Sequence, residues 1–227
     1  MRQSAFRCAF PYTLPVMAGY LFLGFAFGLM TRSAGYPLWL PVLMSVCIYA
    51  GALEFAAVPL LAGPFNLPGT LTLGILMSVR HLFYGILMLK KYENTGWRKP
   101  LLIFCLTDET FSVSVGATPP PAVGAPAFYT WISLLDYFYW IAGTTLGALM
   151  GNALPFDLTG IDFSLTALFI VLFIERLKDR PGKLGGALGF TVTGVTLLLC
   201  GAERMMYIAP FVILALLFLG RRVIERE

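Results

Sequence analysis

Eight apolar runs follow one another along the chain, at roughly 12–30, 39–62, 70–89, 101–118, 126–149, 163–177, 185–202 and 205–220. Most come close to the length a helix needs to cross a hydrocarbon core. They are continuous rather than alternating, which argues against the two-residue period of a membrane β-barrel. No soluble domain, low-complexity tail or long linker fits between them. The 227 residues are 58% hydrophobic and only 12% charged, whereas about a quarter of a soluble domain is charged. The expected fold class is an all-α polytopic membrane protein, with residues 1–227 forming a single transmembrane domain.

The net charge of +4 is small, and the basic residues lie between the runs. They read as topology signals rather than as a nucleic-acid surface. Arg2 and Arg7 precede the first run. Lys90, Lys91, Arg98 and Lys99 follow the third, and Arg176, Lys178, Arg180 and Lys183 follow the sixth. Arg221, Arg222 and Arg226 close the chain. The positive-inside rule places all four clusters, and hence both termini, on the cytoplasmic side of the cell (plasma or inner) membrane. Three runs separate the first cluster from the second, and three separate the second from the third. Three plain crossings change sides, so one run in each triplet should enter and return.

The second and fourth runs are the candidates. The second carries Gly51 and Glu54 at its centre and Pro41 and Pro59 near its ends. The fourth has Thr107, Asp108, Glu109 and Thr110 at its centre, leaving about eleven residues, or about 16 Å of helix, before its prolines. Thr107 or Asp108 suits the N-cap of such a half-helix. The expected architecture is about six full spans plus two re-entrant or broken helices, the second run dipping in from outside and the fourth from inside. This resembles the broken-helix sites of inverted-repeat transporters, although the residues themselves show no repeat. Seven or eight simple spans, with one basic cluster misplaced, are the alternative. The first run is too long for a typical signal peptide and reads as a retained helix. Cys8, Cys47, Cys105 and Cys200 lack metal-ligand spacing and read as packing thiols. No metal site and no cofactor is expected.

Glu54, Arg80, His81, Asp108, Glu109 and Asp136 all fall inside apolar runs. An ionised residue at the centre of a spanning helix costs about 2.5–3.5 kcal/mol, so this set should face itself or a wet cavity. Arg80 can bind a carboxylate bidentately. That carboxylate belongs either to Glu54 or Asp108, as a fixed ion pair, or to a substrate. His81 is either a proton relay or a histidine bonded to a carbonyl. Asp108 is assigned to capping or ion contact at the break, Glu109 to the cavity, and Asp136 either to nearby hydroxyls or to function. Gly24 with Gly28, Gly143 with Gly147 and Gly151, and Gly185 with Gly189 repeat at the spacing that lets helices approach closely in lipid. Their partners lie either in this chain or in another subunit.

Four stretches together resemble the AzlC-like family, the large subunit of branched-chain amino acid exporters. They are GFAFG at 24–28, IYAGALEF at 48–55, VRHLFYG at 79–85 and LTDETF at 106–111, and the likeness covers about residues 10–220. The resemblance implies export of small neutral amino acids such as valine, leucine and isoleucine. It also implies a small AzlD-like membrane subunit of about four helices as partner, and coupling to the proton gradient. The chain departs from the family where Glu54 replaces a common glutamine and where Ser78 stands in place of Asn or Asp.

The expected function is therefore amino-acid efflux. Arg80, or a half-helix N-terminus, would hold the substrate carboxylate. Glu109, Asp108 or Glu54 would meet its ammonium near Gly51, and Phe83, Tyr84 and Phe111 would line its aliphatic part. His81 and Glu109 would relay protons. A second copy of the chain is a further expected partner. An ion- or solute-conducting channel is the alternative. An enzyme is not expected, since no nucleophile or paired metal-ligand motif is present.

Overall fold

The computed structural model describes residues 4–64, 66–121, 123–151 and 180–224, with positions 170, 174 and 177. All longer regular elements among them are α-helices: α1 (Ala5–Ser33), α2 (Trp39–Cys47), α3 (Gly51–Ala62), α4 (Leu67–Met88), α5 (Lys99–Phe104), α6 (Asp108–Gly116), α7 (Ala125–Met150) and α8 (Arg180–Ile224). Most of the run expected at 163–177 lies outside the described residues. The chain divides into two units, residues 1–161 and 162–227. The second holds α8, in which the two runs expected at 185–202 and 205–220 meet at Gly201. Its φ of 79° and ψ of 167° interrupt the helix there. Ala5–Ser33, Leu67–Met88 and Lys183–Gly201 are long and apolar enough to cross a membrane.

In the first unit, α1 and α7 lie side by side and run in the same direction. Phe6 meets Trp131 near their starts, Tyr20 meets Trp140 midway, and Arg32 meets Gly151 at their ends. The contact is backbone to backbone. A Cβ at Gly24 would stand 2.8 Å from the Trp140 carbonyl oxygen, and one at Gly143 2.7 Å from that of Leu21. A Cβ at Gly28 or Gly147 would overlap the carbonyl oxygen of Thr144 or Phe25. The glycine repeats of both helices thus face each other within this chain, the small-residue packing that lipid favours. Among the described residues nothing approaches Gly185 or Gly189.

The second run turns back. After α1 ends, α2 returns toward the middle, where the Tyr137 hydroxyl donates to the Val46 carbonyl at 2.7 Å and the Tyr49 ring meets Tyr20. The helix stops at Cys47, and Tyr49 adopts φ 47°. That left-handed conformation costs a bulky L-residue about 1–2 kcal/mol. It turns the chain sharply, and α3 leaves again, its Phe55 packing on Phe27, two turns further along α1. α4 then runs opposite to α1. Its last residue, Met88, and the following Tyr92 join the core formed by Ala9, Leu102, Phe128 and Tyr129, at the end where α1 and α7 begin.

The fourth run turns back as well. α5 enters from that same end, the chain reverses at Cys105–Thr107, and α6 returns. Thr107 is the N-cap of α6 and its Oγ1 accepts the Thr110 N–H at 3.3 Å, as expected of one of the two candidates. At the other end of α6, Lys91 Nζ donates to the carbonyls of Ser114 and Val115 at 2.8 and 2.6 Å. A lysine at a helix C-terminus satisfies its open carbonyls and complements the dipole. Lys91→Met is expected to lower stability by about 1–2 kcal/mol, read as an earlier thermal unfolding in detergent. An unchanged midpoint would show that Lys91 does not hold the half-helix.

Candidate functional site

The two reversals meet at Tyr20, on the buried side of α1. Its ring lies 6.4 Å from that of Tyr49 in the first reversal. Its hydroxyl lies 2.6 Å from Thr107 Oγ1 in the second and donates to Glu109 Oε2 at 2.8 Å. The hairpins therefore approach each other from opposite ends of α1. The second break, at Cys105–Thr107, is buried, the condition under which an interrupted helix survives away from water, whereas at the first Tyr49 is buried and Cys47 and Ile48 are exposed.

Arg80, eight residues before the end of α4, reaches the first turn of α6. Its Nη1 donates to Asp108 Oδ2 at 2.5 Å. Of the two partners open to it, Asp108 is the one it meets. The pair is not sealed, since 37% of the Arg80 side chain is accessible, and it is not saturated, since Arg80 Nε and Asp108 Oδ1 are buried without a hydrogen-bond partner. Both groups thus keep unused hydrogen-bonding capacity. Asp108 and Glu109 diverge as adjacent helical residues must, one toward α4 and the other toward α1.

Glu54 stands apart from Arg80. It is fully buried, accepting the Ala50 N–H at 2.9 Å and the Trp140 indole N–H at 3.1 Å. It closes the first turn of α3, and Gly51 beside it gives way to the Trp140 ring, which a Cβ would approach to 2.9 Å. Asp136, on α7, is also fully buried and accepts the Thr110 hydroxyl at 2.9 Å. It does bond to a hydroxyl, and that hydroxyl belongs to the site. His81 Nδ1 lies 3.3 Å from the Ser78 carbonyl, and its ring packs edge-on against Tyr84. Tyr84 in turn stacks on Phe111, centroids 4.6 Å apart, joining α4 to α6 beside the Arg80–Asp108 pair. Phe83 is exposed on α4 and is not gathered with these groups.

Arg80, Asp108, Tyr84 and Phe111 are thus brought together between α4 and α6, with His81 adjoining, while Glu109 turns to Tyr20 on α1. Glu54 and Gly51 belong to the first reversal. Reading the sequence alone missed Tyr20, Tyr49 and Trp140, each an unremarkable residue in an apolar run that gains a partner only from the return of a distant segment. Thr110 stood out in the polar centre of the fourth run but without its partner Asp136. Geometrically the site offers a guanidinium with free donors, two acidic groups and an aromatic pair. That set complements a zwitterion with an apolar side chain.

Residues 15–154 match the AzlC protein family, a stretch that contains both hairpins and α7. The branched-chain amino acid transport protein AzlC of Bacillus subtilis is 40% identical over 98% of this chain and 88% of its own. Membrane proteins of Helicobacter pylori (38% identical, covering 97% of each chain) and Haemophilus influenzae (38%, covering 98% of this chain and 91% of the other) are similar to it too. No solved structure matches. The likeness runs through every element that builds the site and continues beyond it, so the chain is a member of the AzlC family.

Proposed function

We propose that this protein exports small neutral amino acids of the branched-chain class across the cell membrane, in exchange for protons and together with a small AzlD-like subunit. The observation that carries the reading is the meeting of two turned-back helical hairpins at Tyr20, with Arg80, Asp108 and Glu109 gathered beside them. The name of the Bacillus relative supports the cargo class. In this reading residues 1–227 form one transporter domain of six full spans and two re-entrant hairpins, and the hairpins are halves of an inverted repeat. Both termini and the basic clusters face the cytoplasm. The substrate carboxylate binds the free donors of Arg80, and its ammonium meets ionised Glu109, with Asp108 holding Arg80 in place. The aliphatic side chain lies against Tyr84 and Phe111. A proton reaching Glu109, with His81 at the entrance, cancels the charge that holds the ammonium and releases the cargo.

The test is counterflow in proteoliposomes, with and without the small subunit. Internal unlabelled valine is expected to accelerate uptake of labelled valine, saturably, and an imposed pH gradient is expected to drive net movement. Ionic current without saturable exchange would replace the transporter with a channel.

A further inference from the structure

Five side chains from α1, the second hairpin and α7 make one continuous chain of oxygens. It runs from Glu109 Oε2 through Tyr20 Oη, Thr107 Oγ1 and Thr110 Oγ1 to Asp136 Oδ2, with separations of 2.8, 2.6, 3.1 and 2.9 Å. All four are hydrogen-bond distances, so each link needs one hydrogen between its oxygens. A hydroxyl carries one hydrogen and an ionised carboxylate none. The three hydroxyls thus supply three hydrogens for four links. When Tyr20 donates to Glu109, Thr107 to Thr110 and Thr110 to Asp136, the link left bare is Tyr20–Thr107, the shortest of the four. Tyr20, Thr107, Thr110 and Asp136 are all buried. Two facing lone pairs in such a place carry the full cost of an unmade bond. Thr107 Oγ1 has a single hydrogen, given to Thr110, and the Thr110 N–H it accepts supplies none to the bare link.

The geometry points to a single proton shared by Glu109 and Asp136 through this chain, a one-proton relay whose inner terminus is Asp136. With the proton on Glu109, that carboxyl donates to Tyr20, Tyr20 to Thr107, Thr107 to Thr110 and Thr110 to Asp136. With the proton on Asp136 every link points the other way. In passing from one state to the other, each hydroxyl oxygen loses one O–H bond and gains one. The net change is one proton moved from Glu109 to Asp136, with nothing else consumed. Glu109 also faces the Arg80–Asp108 pair from α4 and α6. Asp136 faces Tyr49 and Cys105 from the two reversals, and its Oδ1 accepts no hydrogen bond. The use of the proton rests on the transport reading above: parked on Asp136, it leaves Glu109 ionised for the ammonium, and its return ejects the cargo.

The relay is tested by infrared spectroscopy of the full chain in lipid at neutral pH. A Glu54→Gln background removes the other carboxyl that is fully buried among the described residues. This protein is expected to show the carbonyl stretch of one protonated carboxyl, shifted in heavy water. Glu109→Gln and Asp136→Asn each introduce an amide that supplies the missing hydrogen, so either substitution alone removes the whole band. Tyr20→Phe keeps the ring but leaves two hydroxyls for two links, and removes it also. Thr110→Ser keeps the hydroxyl and retains the band, separating proton count from packing. Absence of the band in the background protein overturns the relay. So does a band that persists in part when either carboxyl is replaced, since that means two independent protons. The spectrum is read without cargo, so failure of transport and failure of the relay are told apart.

Discussion

Gly147→Leu should yield little or no folded protein. The Cβ alone would overlap the carbonyl oxygen of Phe25, and the rest of a leucine has nowhere to go but into α1. Relief requires the two helices to part by the width of a side chain. The close contacts at Gly24, Gly28 and Gly143 would be lost with it, because they depend on the same separation. Overpacking usually costs about 1–3 kcal/mol, and a clash with backbone on both sides exceeds that range. A loss of about 5 kcal/mol consumes the whole stability of a marginal protein. Gly19→Leu is the control. It lies on α1, the partner helix of the same interlock, and a Cβ there meets nothing within 4 Å. Its expected effect is within about 0.5 kcal/mol. The measurement is the monodisperse fraction after detergent extraction, followed by thermal unfolding. Equal yields from the two variants would remove the glycine interlock as the source of stability.

Arg80→Ala and Glu109→Gln are expected to leave a folded protein that does not transport. Truncating one partner of a partly buried charge pair typically costs about 2–5 kcal/mol of binding, and each 1.4 kcal/mol is tenfold. Labelled valine counterflow should therefore fall by about tens- to thousands-fold in both. The two should differ in kind. Arg80→Ala removes the anchor for the substrate carboxylate and weakens binding at every pH. Glu109→Gln removes the charge that meets the ammonium together with the outer end of the relay, so residual exchange should no longer respond to a pH gradient. Leu82→Ala, on the exposed face of α4, should transport like the parent. Parent-like rates in Arg80→Ala and Glu109→Gln would sink the site.

Much of this arrangement was legible in the residues. The polar centre of the fourth run, and Gly51 with Glu54 and flanking prolines in the second, marked both reversals, because a plain spanning helix has little use for polar groups at its middle. The Thr107 cap followed from side-chain chemistry. The bridge from α1 did not follow. Tyr20 looks like any tyrosine near a membrane segment, and its partners lie 87 and 89 residues away. Glu54 illustrates the converse difficulty. A buried carboxylate and a buried guanidinium suggest each other, but Glu54 found an indole and a backbone N–H on its own side of the fold. Local pattern settles what a segment does and not which distant segment it meets.

The meshing of α1 with α7 also divides the first unit into a locked pair and a hairpin fastened to it by side-chain hydrogen bonds. Tyr20 and Asp136 ride on the locked pair, while Thr107, Glu109 and Thr110 ride on the hairpin. On the transport reading proposed above, a swing of that hairpin would open its joints to Tyr20 and Asp136 in one stroke, so the relay would be whole only with the hairpin seated.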